Sequence, residues 1–93
     1  MNKKETEKWL LDHGITAYTL RDDLTVDVDA RVNLSELKIT SIPVQFGIIK
    51  GGFDCSNNEL TTLRGCPVTI SGEFKCSGNL LTSLDVWATK SFF

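Results

Sequence analysis

Residues 49–84 contain one phrase written twice, 21 positions apart. Ile49, Gly51, Phe53, Cys55, Ser56, Asn58, Leu60, Thr61 and Leu63 recur as Ile70, Gly72, Phe74, Cys76, Ser77, Asn79, Leu81, Thr82 and Leu84. A weaker third copy precedes them at the same spacing, with Val28, Val32, Leu34, Ile39, Thr40 and Ile42 in the apolar or threonine places. A fixed period of this length constrains the fold strongly. Each copy is too short to bury its own apolar face, so the copies must stack and share a core.

The content of a copy points to one kind of stack. Phe53-x-Cys55-x-x-Asn58-x-Leu60-x-x-Leu63 and Phe74-x-Cys76-x-x-Asn79-x-Leu81-x-x-Leu84 fit the leucine-rich-repeat core, with Phe and Cys in two leucine places. Val32-x-Leu34-x-x-Leu37-x-Ile39-x-x-Ile42 fits it with Leu37 in place of the asparagine. The Phe-x-Cys pair predicts a short strand whose alternate side chains enter the core. Asn58 and Asn79 fall where the chain leaves that strand. Their amides can pair backbone groups of the turn that would otherwise stay unsatisfied at roughly 1–3 kcal/mol each, so both asparagines are expected to be structural.

Residues 51–67, Gly-Gly-Phe-Asp-Cys-Ser-Asn-Asn-Glu-Leu-Thr-Thr-Leu-Arg-Gly-Cys-Pro, resemble the GxFxCSxNxLTxLxGCP repeats of small leucine-rich-repeat-like proteins encoded by tailed bacteriophages and prophages. The segments 25–29 and 34–46, with Ile42-Pro43, resemble the lead-in to the first full repeat of that family, and the similarity covers residues 8–84. The resemblance implies a phage or prophage origin, a leucine-rich-repeat fold and a protein-binding role, and it carries no catalytic residues. After Leu84 the chain departs from the family. Where the family continues with Gly-Cys-Pro and further coils, this chain reads Asp85-Val86-Trp87-Ala88-Thr89-Lys90-Ser91-Phe92-Phe93.

The expected fold is therefore α+β, a short leucine-rich-repeat-like solenoid of three ~21-residue coils with parallel strands, in a single domain spanning 1–93. Residues 1–27 form an N-terminal cap of helix plus β-hairpin, 28–48, 49–69 and 70–84 are the repeats, and 85–93 is a C-terminal cap or tail. Lys3 to His13 reads as a helix of about three turns that stops at Gly14. Tyr18 and Leu20, then Leu24, Val26 and Val28, alternate on either side of Arg21-Asp22-Asp23 and read as the hairpin. Val44 to Gly47 is expected to return the chain along the convex side. Trp87, Phe92 and Phe93 stand where the last coil would be uncovered. Two arrangements are open there: a cap folded over that end, or an apolar patch that recruits a partner or a second copy.

Composition excludes several functions. The formal charge is −2 with a pI near 5.2, which is no footprint for a phosphate backbone, so no nucleic acid is expected. No apolar run approaches the ~20 residues that span a bilayer, and Lys3-Lys4 is followed by Glu5 and Glu7 rather than an apolar signal region. No membrane association and a cytoplasmic location, in the bacterial host, are expected. Three cysteines, an odd number, agree with a reducing compartment. Cys55 and Cys76 are expected to point inward as buried thiols, and nothing in the spacing places Cys66 or His13 beside them as metal ligands. Asp27, Asp29 and Asn33 have the two-residue spacing of calcium ligands, but Val32 and Lys38 occupy the places of the loop's glycine and glutamate. Solvated carboxylates on a strand face are the better account, and no cofactor or metal is expected.

With the copies aligned, three columns face solvent on the concave side. Asn33, Asp54 and Lys75 form the central one, flanked by Arg31, Gly52 and Glu73 and by Ser35, Ser56 and Ser77. They hold no acid–base or nucleophile–base pair, and an enzyme is not expected. The leading expectation is a non-enzymatic protein-binding module that docks on a bacterial host protein, such as a defence complex, and inhibits it by steric occlusion. Arg31, Asn33, Asp54, Glu73 and Lys75 would set its specificity. The alternative is a structural or assembly protein that self-associates, as a homodimer, through Trp87, Phe92 and Phe93.

Overall fold

The computed structural model describes residues 1–81. It is an α+β arrangement of one helix and two small sheets around one core. The helix α1, Lys3–Asp12, opens on a capping box: Glu5 N–H donates to Asn2 Oδ1 at 2.8 Å, and Asn2 N–H donates to Glu5 Oε1 at 2.9 Å. It closes on a Schellman motif. Gly14, at φ +75°, donates to the Leu11 carbonyl, and Ile15 donates to the Leu10 carbonyl while both of those side chains are buried. His13 is the C-cap; its ring stacks on Trp9 at 4.0 Å and its Nδ1 lies 2.7 Å from the Trp9 carbonyl oxygen. Among the described residues, no helix is long and apolar enough to cross a membrane.

Among the described residues seven strands follow: β1 Tyr18–Leu20, β2 Thr25–Val28, β3 Val32–Asn33, β4 Gln45–Ile49, β5 Phe53–Asp54, β6 Thr69–Ile70 and β7 Phe74–Lys75. They form a four-stranded sheet in the order β1-β2-β4-β6 and a three-stranded sheet in the order β3-β5-β7. Apart from the antiparallel β1–β2 hairpin, every pairing is parallel. Val32 sits beside Phe53, Phe53 beside Phe74, and Ile49 beside Ile70. The repeat spacing is thus the pairing register itself, and Phe53 and Phe74 occupy adjacent parallel strands as the sequence predicts.

Two details go beyond what the sequence announces. The return through Val44 to Gly47 is itself ordered, because Gln45–Ile49 is a full strand of the four-stranded sheet. Phe46 and Ile49 are wholly buried there, and backbone polar groups entering a core with them must pair, here with β2 and β6. The hairpin, expected as part of the N-terminal cap, is continuous with this sheet. Its second strand β2 runs across the 27/28 boundary and pairs directly with β4. Its connection also contains Leu24, at φ +69°, whose N–H donates to the Arg21 carbonyl to close the turn; Leu24 holds the left-handed position that follows a type I turn in a three-residue hairpin loop.

The β2–β4 register slips at one point: Val26 faces Phe46, yet Val28 faces Ile49. The extra residue on β4 is a β-bulge, and Asp27 holds it. Asp27 Oδ1 accepts the Ile48 N–H at 2.7 Å, and both carboxylate oxygens accept from Arg21, each at 2.8 Å. Gly47 makes room, since a Cβ there would lie 2.5 Å from Asp27 Oδ1. Asp27 is therefore a structural brace and not the freely solvated carboxylate that its place on the strand suggests.

Between the sheets Phe46 and the two repeat-phase aromatics, Phe53 and Phe74, form a column. Phe46 meets Phe53 edge-on at 5.2 Å, and Phe53 stacks on Phe74 at 5.9 Å with their planes 9° apart. Trp9 of α1 reaches Phe46 at 6.4 Å, which ties the helix to the same core. Leu34, Leu60 and Leu63 fill the side where the chain leaves the three-stranded sheet.

Asparagine closes the turns on that side. Asn58 Nδ2 donates to the carbonyls of Leu34, Cys55 and Ser56, while its Oδ1 accepts from Leu37 N–H and Ile39 N–H. Asn79 repeats this one period on, donating to Cys55, Cys76 and Ser77 and accepting from Leu60. Each asparagine thus braces its own turn and the preceding one. Leu37 begins the series with no earlier turn of this kind behind it, so its position does not require an amide and its side chain is exposed.

Candidate functional site

The outer face of β3, β5 and β7 carries the candidate residues. Asn33 lies beside Asp54 and Asp54 beside Lys75, so the central column stands as the spacing predicts. Arg31 comes within 3.9 Å of Asp54, and Lys75 within 3.6 Å of Glu73. These two pairs connect the central column to the flanking one. The Arg31, Lys75 and Glu73 side chains are 62%, 51% and 71% exposed, whereas Asp54 is only 14% exposed.

Asp54 is fixed from below by a local motif that recurs one strand away. Its Oδ1 accepts the Ser56 N–H at 3.0 Å and the Ser56 hydroxyl at 2.6 Å; Asn33 accepts from Ser35 at the same two distances. The signal is legible in sequence as Asn or Asp followed two residues on by Ser. Lys75-x-Ser77 breaks it because an ammonium cannot accept. Partial burial pushes the Asp54 carboxyl up, but the two Ser56 donors and the charges of Lys75 and Arg31 outweigh it and hold the group below the ordinary carboxylate range. Asp54 is therefore ionised at neutral pH and already supplied with donors, a poor general base.

Beside these residues the face sinks into a groove of about 360 Å³ lined by Arg31, Gly52, Phe53, Asp54, Glu73 and Lys75. Gly52 lines it beside the Glu73 backbone and the aliphatic part of the Arg31 side chain. The neighbouring Gly51 and Gly72 are fixed by packing, since a Cβ on either would lie 2.9 or 2.7 Å from the next strand's backbone. At Gly52 the nearest atom, the Glu73 carbonyl oxygen, is 3.1 Å away, a tight fit but not a collision with the next strand. The missing side chain is what opens the groove.

The cysteines lie on the other side of this sheet. Cys55 and Cys66 are buried and Cys76 is half-buried, all as free thiols. The position of Cys66 is not legible in the repeat; it reaches the core beside Cys55. A hydrogen bond with Cys55, then burial, then the neighbouring thiols push the Cys66 thiol far up, and burial followed by Cys55 raises Cys76. Such thiols stay protonated at neutral pH, which is the reverse of what a nucleophile needs. Among the described residues, no three His, Cys, Asp or Glu side chains group to hold a metal ion. Asp27 and Asn33, paired with Asp29 in the calcium motif, end in different sheets. Trp87, Phe92 and Phe93, proposed from the sequence for self-association, lie outside the described residues.

What the face offers is a backbone platform on which Arg31, Glu73 and Lys75 stand exposed beside the groove at Gly52, Arg31 near Asp54 and Lys75 near Glu73. Comparison with known proteins adds no family: no protein-family model matches the chain, and neither a curated protein nor a solved structure does.

Proposed function

We propose that this chain is a non-enzymatic protein-binding module, built as a short leucine-rich-repeat-like solenoid and carried by a phage, which occludes a bacterial host protein. The two parallel sheets in 21-residue register, with asparagines bracing successive turns, support the solenoid reading. Phage origin and a host target rest on the resemblance of residues 8–84 to phage-encoded repeat proteins. The observation that carries the binding role is the outer face of β3-β5-β7. There Arg31, Glu73 and Lys75 are exposed around the groove at Gly52, on or directly beside strands β3 and β7.

Opposed charges on such a platform select a partner by electrostatic complementarity more than by affinity. Asn33 and Asp54 shape the surface through their serine contacts and are less suited to direct contact. The test is affinity capture from bacterial lysate with the wild type and an Arg31→Glu, Glu73→Lys variant, followed by binding of each captured protein to both forms. A partner held by the wild type and bound at least ~10-fold more weakly by the variant supports the face, an effect of about 1.4 kcal/mol. Equal binding by both forms would remove this face from the site.

A further inference from the structure

We infer that β1 is a self-recognition edge, through which two copies of this chain pair antiparallel and join their four-stranded sheets into one. The surface lies in the other sheet from the docking face, and the inference does not depend on that face. β1 is a terminal strand of its sheet. Its pairing with β2 is flanked by Asp29 N–H donating to the Ala17 carbonyl and Arg21 N–H donating to the Thr25 carbonyl, and Thr19 lies opposite Asp27. In an antiparallel pair, hydrogen-bonded and non-hydrogen-bonded positions alternate. The backbone groups of Ala17, Thr19 and Arg21 therefore point to β2, and those of Tyr18 and Leu20 point away, where no described residue pairs with them. Tyr18-Thr19-Leu20 carries none of the lysines, prolines or inward charges that blunt such an edge, and its three-residue length is the one such device present.

A second copy satisfies these groups reciprocally. With Thr19 of the two copies on a two-fold axis, Tyr18 and Leu20 of one exchange both backbone hydrogen bonds with Leu20 and Tyr18 of the other, as an isologous interface requires. Thr19 then faces Thr19, a favourable cross-strand pair, and Thr19 is exposed.

The same register brings opposite charges together. Thr16 falls opposite Asp22 of the second copy, and Ile15 opposite its Asp23. Thr16 lies in a groove of about 430 Å³ between α1 and β1, lined also by Lys4, Glu7, Lys8, Leu11 and Tyr18. Lys8 is held by Asp12 at 2.9 Å, but Lys4 makes no ion pair among the described residues. Asp22 at the hairpin tip of one copy thus reaches Lys4 at the mouth of this groove on the other, twice per dimer. Asp23 already accepts the Thr25 N–H within its own chain, so Asp22 is the carboxylate left for this contact.

The edge is three residues long, so association belongs to the weak, transient class. Sedimentation of the full chain from roughly 10 µM to 1 mM tests it. The wild type is expected to pass from monomer to dimer over that range. Thr19→Lys, which sets like charges face to face on an exposed site, is expected to weaken the dimer at least ~10-fold with an unchanged urea midpoint. Asp22→Lys and Lys4→Glu are each expected to be monomeric alone and to form a dimer when mixed, because only the mixture restores both charge contacts. A wild type that stays monomeric throughout overturns the proposal. So does a dimer untouched by Thr19→Lys, or one that requires Trp87, Phe92 and Phe93 instead.

Discussion

At the scale of single residues, the asparagines and Asp27 do the most for the fold. Removing the Asn58 amide strands the Leu34 carbonyl and the Leu37 and Ile39 N–H groups in or beside the core, while the Cys55 carbonyl keeps the Asn79 amide. Each buried orphan costs roughly 1–3 kcal/mol, so Asn58→Ala should lose at least about 3 kcal/mol in urea unfolding. Leu37→Asn should stay within about 0.5 kcal/mol, because that position has no turn behind it to brace. If the two substitutions cost the same, the asparagine series is not what holds the turns. Asp27 gives a pH signature. Its Arg21 hydrogen bonds, chiefly, and the Ile48 N–H hold the folded carboxyl below its ordinary value. Stability from this group is thus fully present above the unfolded pKa of about 4 and is lost as pH falls through the folded value. Urea midpoints should decline below about pH 4, and Asp27→Asn should be less stable at neutral pH with a flatter acid decline.

The elements show which parts of the structure the sequence could announce. Where a residue type recurs at the repeat spacing, its neighbour is its own copy, so the Phe53–Phe74 pair and the asparagine braces can be read directly. The Arg21–Asp27–Ile48 contact, the Cys55–Cys66 contact and the Gln45–Gly47 part of strand β4 join residues that have no copy in register to point to them. They depend on a bulge, and on a return segment whose alternation is only five residues long. The groove of the candidate face was half-legible, since the columns follow from spacing but the openness over Gly52 follows from the backbone around it. Glycines divide in the same way. Gly14 sits at φ +75° with open space around a would-be Cβ, so Gly14→Ala should cost only the left-handed penalty of about 1–2 kcal/mol. Gly65, at φ +92°, would drive a Cβ to 2.6 Å from the Val44 carbonyl oxygen and 2.7 Å from that of Ile42. Gly65→Ala should therefore be clearly the more damaging in thermal unfolding; equal losses would mean that backbone conformation, not the close approach, sets the cost.

For the whole molecule the question is whether helix, hairpin and repeats melt as one body. Stacked copies alone can unfold from an end, since each touches only its neighbours. Here the aromatic column runs through both sheets, and its Phe46 end also carries Trp9 of α1, so the helix cannot leave without uncovering the core that the repeats share. In a Trp87→Phe background, fluorescence reports on Trp9 alone and far-UV circular dichroism on the strands. Their urea midpoints should coincide, the mark of a single cooperative transition. Phe46→Ala should lower both together by the equivalent of about 3–5 kcal/mol, a large share of the 5–15 kcal/mol that stabilises a typical domain. Fluorescence that changes well before dichroism would show α1 to be an appendage, and the repeats would then have to hold their fold without it.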